Sequence, residues 1–202
     1  MIFYKLFSIV LLLFLFLMMV FRVLTGKDDA TRIKEKFAFT CKDRPKGKVV
    51  WIHAVSVGES RTALILVDKI VKEFGDVTVL MTSTTLNSAQ MLAKEIGDNY
   101  YGRVIHQFLP VDSALVVRKF INHWKIDMAF FLESEIWPNF LNEVKKRNIS
   151  ALLISAMFRK EQTFFKWHGK WMQKALLAFE HFLRVLNLFQ HIMKLPYHLF
   201  RP

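Results

Sequence analysis

Between residues 48 and 154 the apolar positions of this chain change period repeatedly. Val49 to Ile52 form a continuous apolar run inside Lys48–His53, as a strand buried on both faces requires. After Ser60 the spacing becomes helical. Ala63, Leu64, Val67, Ile70, Val71 and Phe74 fall on one face and predict a helix over Ser60–Phe74. The same reading predicts strands at Val77–Met81, Val104–Leu109, Asp127–Leu132 and Ser150–Ile154. It places helices between them at Leu86–Ile96, Ser113–Trp124 and Trp137–Arg147. Such alternation predicts an α/β fold, a Rossmann-like doubly wound parallel sheet with helices on both faces. Internal repeats and low-complexity runs are absent.

Ahead of this body, Ile2–Leu24 is apolar apart from Tyr4, Lys5, Ser8 and Arg22. As a helix it reaches about 34 Å, enough to cross a hydrocarbon core of about 30 Å. Leu17 to Phe21 offers no small-residue cleavage site, and the stretch is long for a signal peptide. Residues 1–24 therefore read as an uncleaved transmembrane anchor. Arg22, Lys27, Arg32, Lys34 and Lys36 follow it and place the body on the cytoplasmic side. Residues 25–47, with Thr25, Gly26, Pro45 and Gly47, read as a polar linker holding one short helix. The main domain is expected over 48–182, and 183–202 is an atypical basic and aromatic tail.

Charge sharpens that layout. The net charge is +12, but residues 51–150 balance at 11 basic against 11 acidic. The excess sits in residues 1–50, with 10 against 4, and in 151–202, with 8 against 2. A basic excess beside a membrane span points to an anionic lipid surface rather than to nucleic acid. No groove-reading or base-stacking motif is visible. The single Cys41 excludes an internal disulfide. No Gly-x-Gly-x-x-Gly follows the first strand and no Gly-Lys-Ser/Thr loop occurs, which removes dinucleotide and P-loop readings. Seven histidines show no zinc spacing, so no metal site is expected. His53, on an apolar strand, reads as a hydrogen-bonded buried histidine.

Candidate chemistry lies where strands end. Val57-Gly58 breaks the first apolar run, so Glu59 sits between a strand and a helix, at the edge where open α/β sheets bind ligands. A carboxylate there, with a glycine beside it to admit a substrate, suits a general base. Helix capping by Glu59 or Ser60 is the bland alternative. Glu133, Ser134 and Glu135 follow the apolar Met128 to Leu132 and should reach the same edge. Glu135 is explained as a first-turn acid ahead of Pro138, whereas Glu133 directly after a buried run carries a desolvation cost. Thr82 to Thr85 supply hydroxyls at a third strand end, fit for capping or for a phosphate or sugar hydroxyl.

Two stretches together carry a resemblance. His-Ala-Val-Ser-Val-Gly-Glu at 53–59 and Glu-Ser-Glu-Ile-Trp-Pro-Asn at 133–139, with Leu109-Pro110-Val111-Asp112 between, resemble the 3-deoxy-D-manno-octulosonic acid (Kdo) transferases in order and spacing over roughly residues 1–160. The resemblance implies transfer of Kdo from CMP-Kdo to a lipid A precursor of the lipid IVA type, in lipopolysaccharide biosynthesis. The place implied is the cytoplasmic face of the bacterial inner membrane. It implies two facing Rossmann-like domains (the GT-B arrangement) and inversion without a metal or cofactor beyond the donor. Glu59 matches the family's proton acceptor and Glu133 its transition-state stabiliser. Ser56, Gly58, Thr84, Glu135 and Asn139 are candidates for acceptor binding.

The match departs in two places. Met157 stands where the family usually has an Arg, in Ser155-Ala156-Met157-Phe158-Arg159. Residues 183–202 resemble nothing in the family's donor-binding second domain, so the chain is expected to be a shortened form without transfer activity by itself. The competing reading is a non-catalytic, membrane-tethered basic module in which Glu59 only caps a helix.

Overall fold

Gly47 opens the first strand because no other residue fits there. Its φ is +80°, and a Cβ would stand 2.5 Å from the Asp76 carbonyl oxygen. Strand β1 follows at Lys48–His53. At its start the Asp127 carboxylate accepts from the Val49 N–H at 2.8 Å, while the Asp127 N–H donates to the Val49 carbonyl. The computed structural model describes residues 14–154 except 27, 41, 98, 101 and 133–136. Within them β1 is followed by α1 (Val57–Glu73), β2 (Val77–Ser83), α2 (Leu86–Ile96) and β3 (Val104–Phe108). Next come α3 (Ala114–Trp124), β4 (Met128–Leu132), α4 (Pro138–Lys146) and β5 (Ser150–Ile154).

All four pairings are parallel and the sheet order is β3-β2-β1-β4-β5. The doubly wound expectation holds. Alternation along β1 feeds two cores. Val49 and Trp51 face α3 and α4, with Phe120, Phe131 and Phe140, while Ile52 and Ala54 face the layer that includes Ala63, Val67 and Leu92. Trp51 is fully buried, 4.9 to 5.4 Å by ring centroid from those three phenylalanines, and its indole N–H donates to the Thr82 hydroxyl at 2.8 Å.

The start of α1 differs from expectation because of its cap. The Ser56 hydroxyl accepts from the Glu59 N–H, so α1 begins at Val57 and runs through Gly58 rather than starting at Ser60. Ser56 is thus the capping residue, which corrects the alternative that put Glu59 or Ser60 there. Thr85 caps α2 in the same way, and β2 extends through Thr82 and Ser83 because it is paired on both sides.

Residues 28–40 and Lys42 do not hang free of the sheet. A 3-10 turn at Ile33–Phe37 lies along β3, the edge strand. Glu35 accepts the Phe108 N–H at 2.8 Å, while Arg32 and Lys42 donate to the His106 carbonyl at 3.3 and 3.0 Å. Charged side chains thereby stand in for a neighbouring strand. His106 is held by the same group. Arg32 can only donate to its Nδ1, at 3.1 Å, so the ring proton sits on Nε2 and points at the Ser83 hydroxyl, 2.9 Å away.

Residues 14–24 are helical, with Met19 buried. The remaining expected span, 2–13, lies outside the described residues, as does everything from 155 onward. Among the described residues no helix is long and apolar enough to cross a membrane.

Two buried histidines set a pH dependence. Burial lowers His53 to about 4, and burial with the Arg32 and Lys42 charges lowers His106 to about 3. Unfolded, both titrate near 6.5, so between about 6.5 and 4 the unfolded chain binds more protons than the folded one. Stability is expected to fall with pH across that window by up to roughly 1.4 kcal/mol per unit for each histidine, and to be flat from this source above about 7. Urea denaturation at a series of pH values checks it, and His106→Gln should make the slope shallower.

Candidate active site

In this strand order the chain's direction of travel across the sheet reverses between β1 and β4. A crevice opens at the carboxyl ends of two such strands. His53 at the end of β1 pairs in register with Phe131, and Leu132, one residue on, ends β4. The β1–α1 loop therefore leaves beside the end of β4. Glu133 and Glu135 themselves lie outside the described residues.

Glu59 is held as part of a capping box. Its Oε1 accepts from the Ser56 hydroxyl at 2.8 Å and its Oε2 from the Val55 N–H at 2.7 Å, while the Ser56 oxygen accepts the Glu59 N–H at 3.2 Å. Both capping and positioning are thus present in one arrangement. Each carboxylate oxygen has two lone pairs, so two donated bonds fix the group without exhausting its acceptor capacity. The side chain is half-buried between exposed Ser56 and exposed Gly58. Among the described residues a Cβ on Gly58 would meet only the Ser56 oxygen, at 3.9 Å, so none of them fills the space in front of it.

Val55 is fixed from both sides. Glu59 takes its N–H, and the Ser88 hydroxyl donates to its carbonyl at 3.0 Å. Ser88 also meets Thr85 Oγ1 at 2.6 Å, which ties the start of α2 to the β1–α1 loop. Thr84, next to this junction, is half-buried at the same edge. Sequence reading missed Ser88. It is 33 residues from Val55, and nothing in its local pattern distinguishes it from any serine in a first turn.

Asn139 lies at the start of α4 but faces inward. It is 1% exposed, its amide side chain donates to the Asp112 carbonyl, and its N–H and that of Phe140 are taken by the Asp112 carboxylate at 3.1 Å. The helix that follows Pro138 is therefore capped by a residue 27 positions earlier. His53 is fully buried as expected. Its Nδ1 lies 2.9 Å from the Thr82 hydroxyl, while its Nε2 has no hydrogen-bond partner among the described residues.

Parallel strands in this order, with a fixed carboxylate beside the reversal point, define an open α/β domain whose ligand end is its carboxyl edge. Comparison with known sequences supplies the family. The chain belongs to the family described as 3-Deoxy-D-manno-octulosonic-acid transferase (kdotransferase), whose sequence profile it matches over residues 31–187. A 3-deoxy-D-manno-octulosonic acid transferase of Rickettsia bellii is 39% identical over 164 residues, covering 81% of this chain and 38% of the relative. One from Rickettsia felis is 30% identical, covering 93% and 51%. One from Haemophilus influenzae is 28% identical, covering 62% and 29%. The chain spans about half or less of the length of these curated relatives.

Gly58 and Asp112 separate site from scaffold. Gly58→Ala should fold as well as the parent or be more stable by about 0.5–1 kcal/mol, since alanine suits a helix and meets open space. Asp112→Ala removes the cap of α4 and should cost about 1–2 kcal/mol, read from the urea midpoint.

Proposed function

We propose that this chain carries the acceptor side of a Kdo transferase, the class of enzyme that moves Kdo from CMP-Kdo onto a lipid A precursor of the lipid IVA type. The observation that carries the reading is Glu59. A carboxylate fixed by Ser56 and Val55 stands at the sheet's reversal point, beside a glycine whose front no described residue fills. In the reaction the acceptor sugar hydroxyl attacks the anomeric carbon of Kdo. The bond from that carbon to the CMP phosphate oxygen breaks, and CMP leaves with the electron pair. Glu59 takes the hydroxyl proton, and Glu133 stabilises the charge that develops at the sugar. Ser56, Gly58, Thr84 and Glu135 line the acceptor's approach, and Asn139 holds the Asp112 loop against α4. No metal enters the scheme.

The place of reaction follows from the acceptor. A phosphorylated lipid is confined to the bilayer, here the cytoplasmic face of the bacterial inner membrane, with residues 1–24 as the anchor. Tethering raises the local concentration of such an acceptor.

One observation favours a second reading. Both oxygens of Glu59 are engaged in capping, as they would be if the residue served only to start α1 in a tethered, non-catalytic module. A chimera separates the two. Residues 1–160 of this chain replace the matching part of the Rickettsia bellii relative, and Kdo transfer from CMP-Kdo to lipid A precursor in vesicles is measured. The chimera should be active, Glu59→Gln should lower turnover by about 10²–10⁴, and Gly58→Ala should raise the acceptor KM without loss of stability. A folded chimera that transfers nothing, or one indifferent to Glu59→Gln, rejects the proposal.

A further inference from the structure

Large apolar side chains exposed among the described residues are concentrated in one place. Seven of the ten lie in the helix at 14–24, Phe14 and Leu24 among them at 62% and 80% exposure. Two more, Phe39 and Leu115, continue the same surface. Phe16 packs on Phe37 at 5.7 Å between ring centroids, two residues before Phe39. The Lys119 ammonium stands 2.8 Å from the centroid of the Phe39 ring, and Leu115 is one helical turn before Lys119.

This surface borders the edge that carries Glu59. Phe108, the last residue of β3, is bonded by Glu35 of the 3-10 turn, and Leu115 lies in the first turn of α3, directly after β3. Both positions belong to the carboxyl edge of the sheet. β3 and β1 are two strand spacings apart, about 10 Å.

The join between helix and domain is built, not slack. Thr25 Oγ1 donates to the carbonyls of Phe21 and Arg22, and Gly26, at φ +68°, ends the helix. Asp28 then bonds both sides of the junction. Its carboxylate, 1% exposed, accepts from Arg22 Nε on the helix at 2.7 Å and from Lys36 Nζ on the 3-10 turn at 2.6 Å. Burial works to raise the Asp28 carboxyl. The bonds and charges of Lys36 and Arg22 outweigh it and hold the group below its ordinary range. A paired buried carboxylate of this kind fixes one geometry, because losing either partner leaves a charge uncompensated.

We infer that Asp28 is a positioning residue that turns the carboxyl edge of the domain toward a lipid bilayer. The outer face of helix 14–24 lies in the acyl boundary, with Phe39 and Leu115 beside it. Exposed Lys34 and Lys119 meet anionic headgroups. A continuous apolar face flanked by lysines is the pattern of an interfacial contact. The inference rests on the membrane reading above and adds to it an orientation, with a residue that sets it.

The test uses the full chain with Cys41→Ser and one introduced cysteine carrying a bimane label, either Leu115→Cys or Lys72→Cys. Lys72 is exposed in the last turn of α1, at the opposite edge. Vesicles contain phosphatidylglycerol and a lipid bearing a shallow nitroxide quencher, and binding is followed separately by flotation. The label at 115 should be quenched and that at 72 should not. Asp28→Asn should abolish quenching at 115 while the chain still floats with its circular dichroism unchanged. Arg22→Gln, which spares the buried Asp28–Lys36 pair, should do the same if Asp28→Asn unfolds. A floating chain with no quenching at 115, or with quenching indifferent to both substitutions, overturns the inference alone. A chain that does not float overturns the membrane reading with it.

Discussion

Strand β1 has a neighbour on each side, and that double pairing governs the rest of the molecule. With β2 bonded along its whole length and β4 bonded from Val50 to His53, β1 is locked in register and no room remains for a slip. Asp127 and Gly47 pin its first residues, so its last residue, His53, is fixed in depth, and so is the loop that follows. Val55 is then held by its N–H and its carbonyl together. Glu59 owes its position to this chain of constraints and not to its own helix alone.

Much of this was legible in the sequence. The change between apolar runs and helical spacing located every strand and helix from 48 to 154 within a few residues. The pattern is written by burial, and burial is what the sheet imposes. Boundaries moved where capping decided them. Ser56 starts α1 three residues before the expected Ser60, because a cap depends on one hydroxyl rather than on periodicity. Glu59 was legible through its place after a strand. Ser88 and Asp112 were not, since each acts on a residue about thirty positions away and carries no local signature of doing so. Asn139 was read as facing a ligand, and its side chain instead braces the Asp112 loop from inside.

The segment before β1 shows where composition misleads. Its glycines, proline and charges resemble a linker, yet the charges are used as backbone partners of β3 and as a buried pair at Asp28. Polar residues that lie next to one another in sequence look solvated. Only the fold reveals that Glu35 and Arg32 reach residues more than seventy positions away.

Edge strands ordinarily invite company. Along β3 the Phe108 donor and the His106 acceptor are already occupied by Glu35, Arg32 and Lys42. A stray extended peptide would have to strip a carboxylate and two cations before it found a free rung. That flank of the sheet is therefore a poor template for fibril growth, and a chain crowded at a surface with many copies of itself can remain dispersed there.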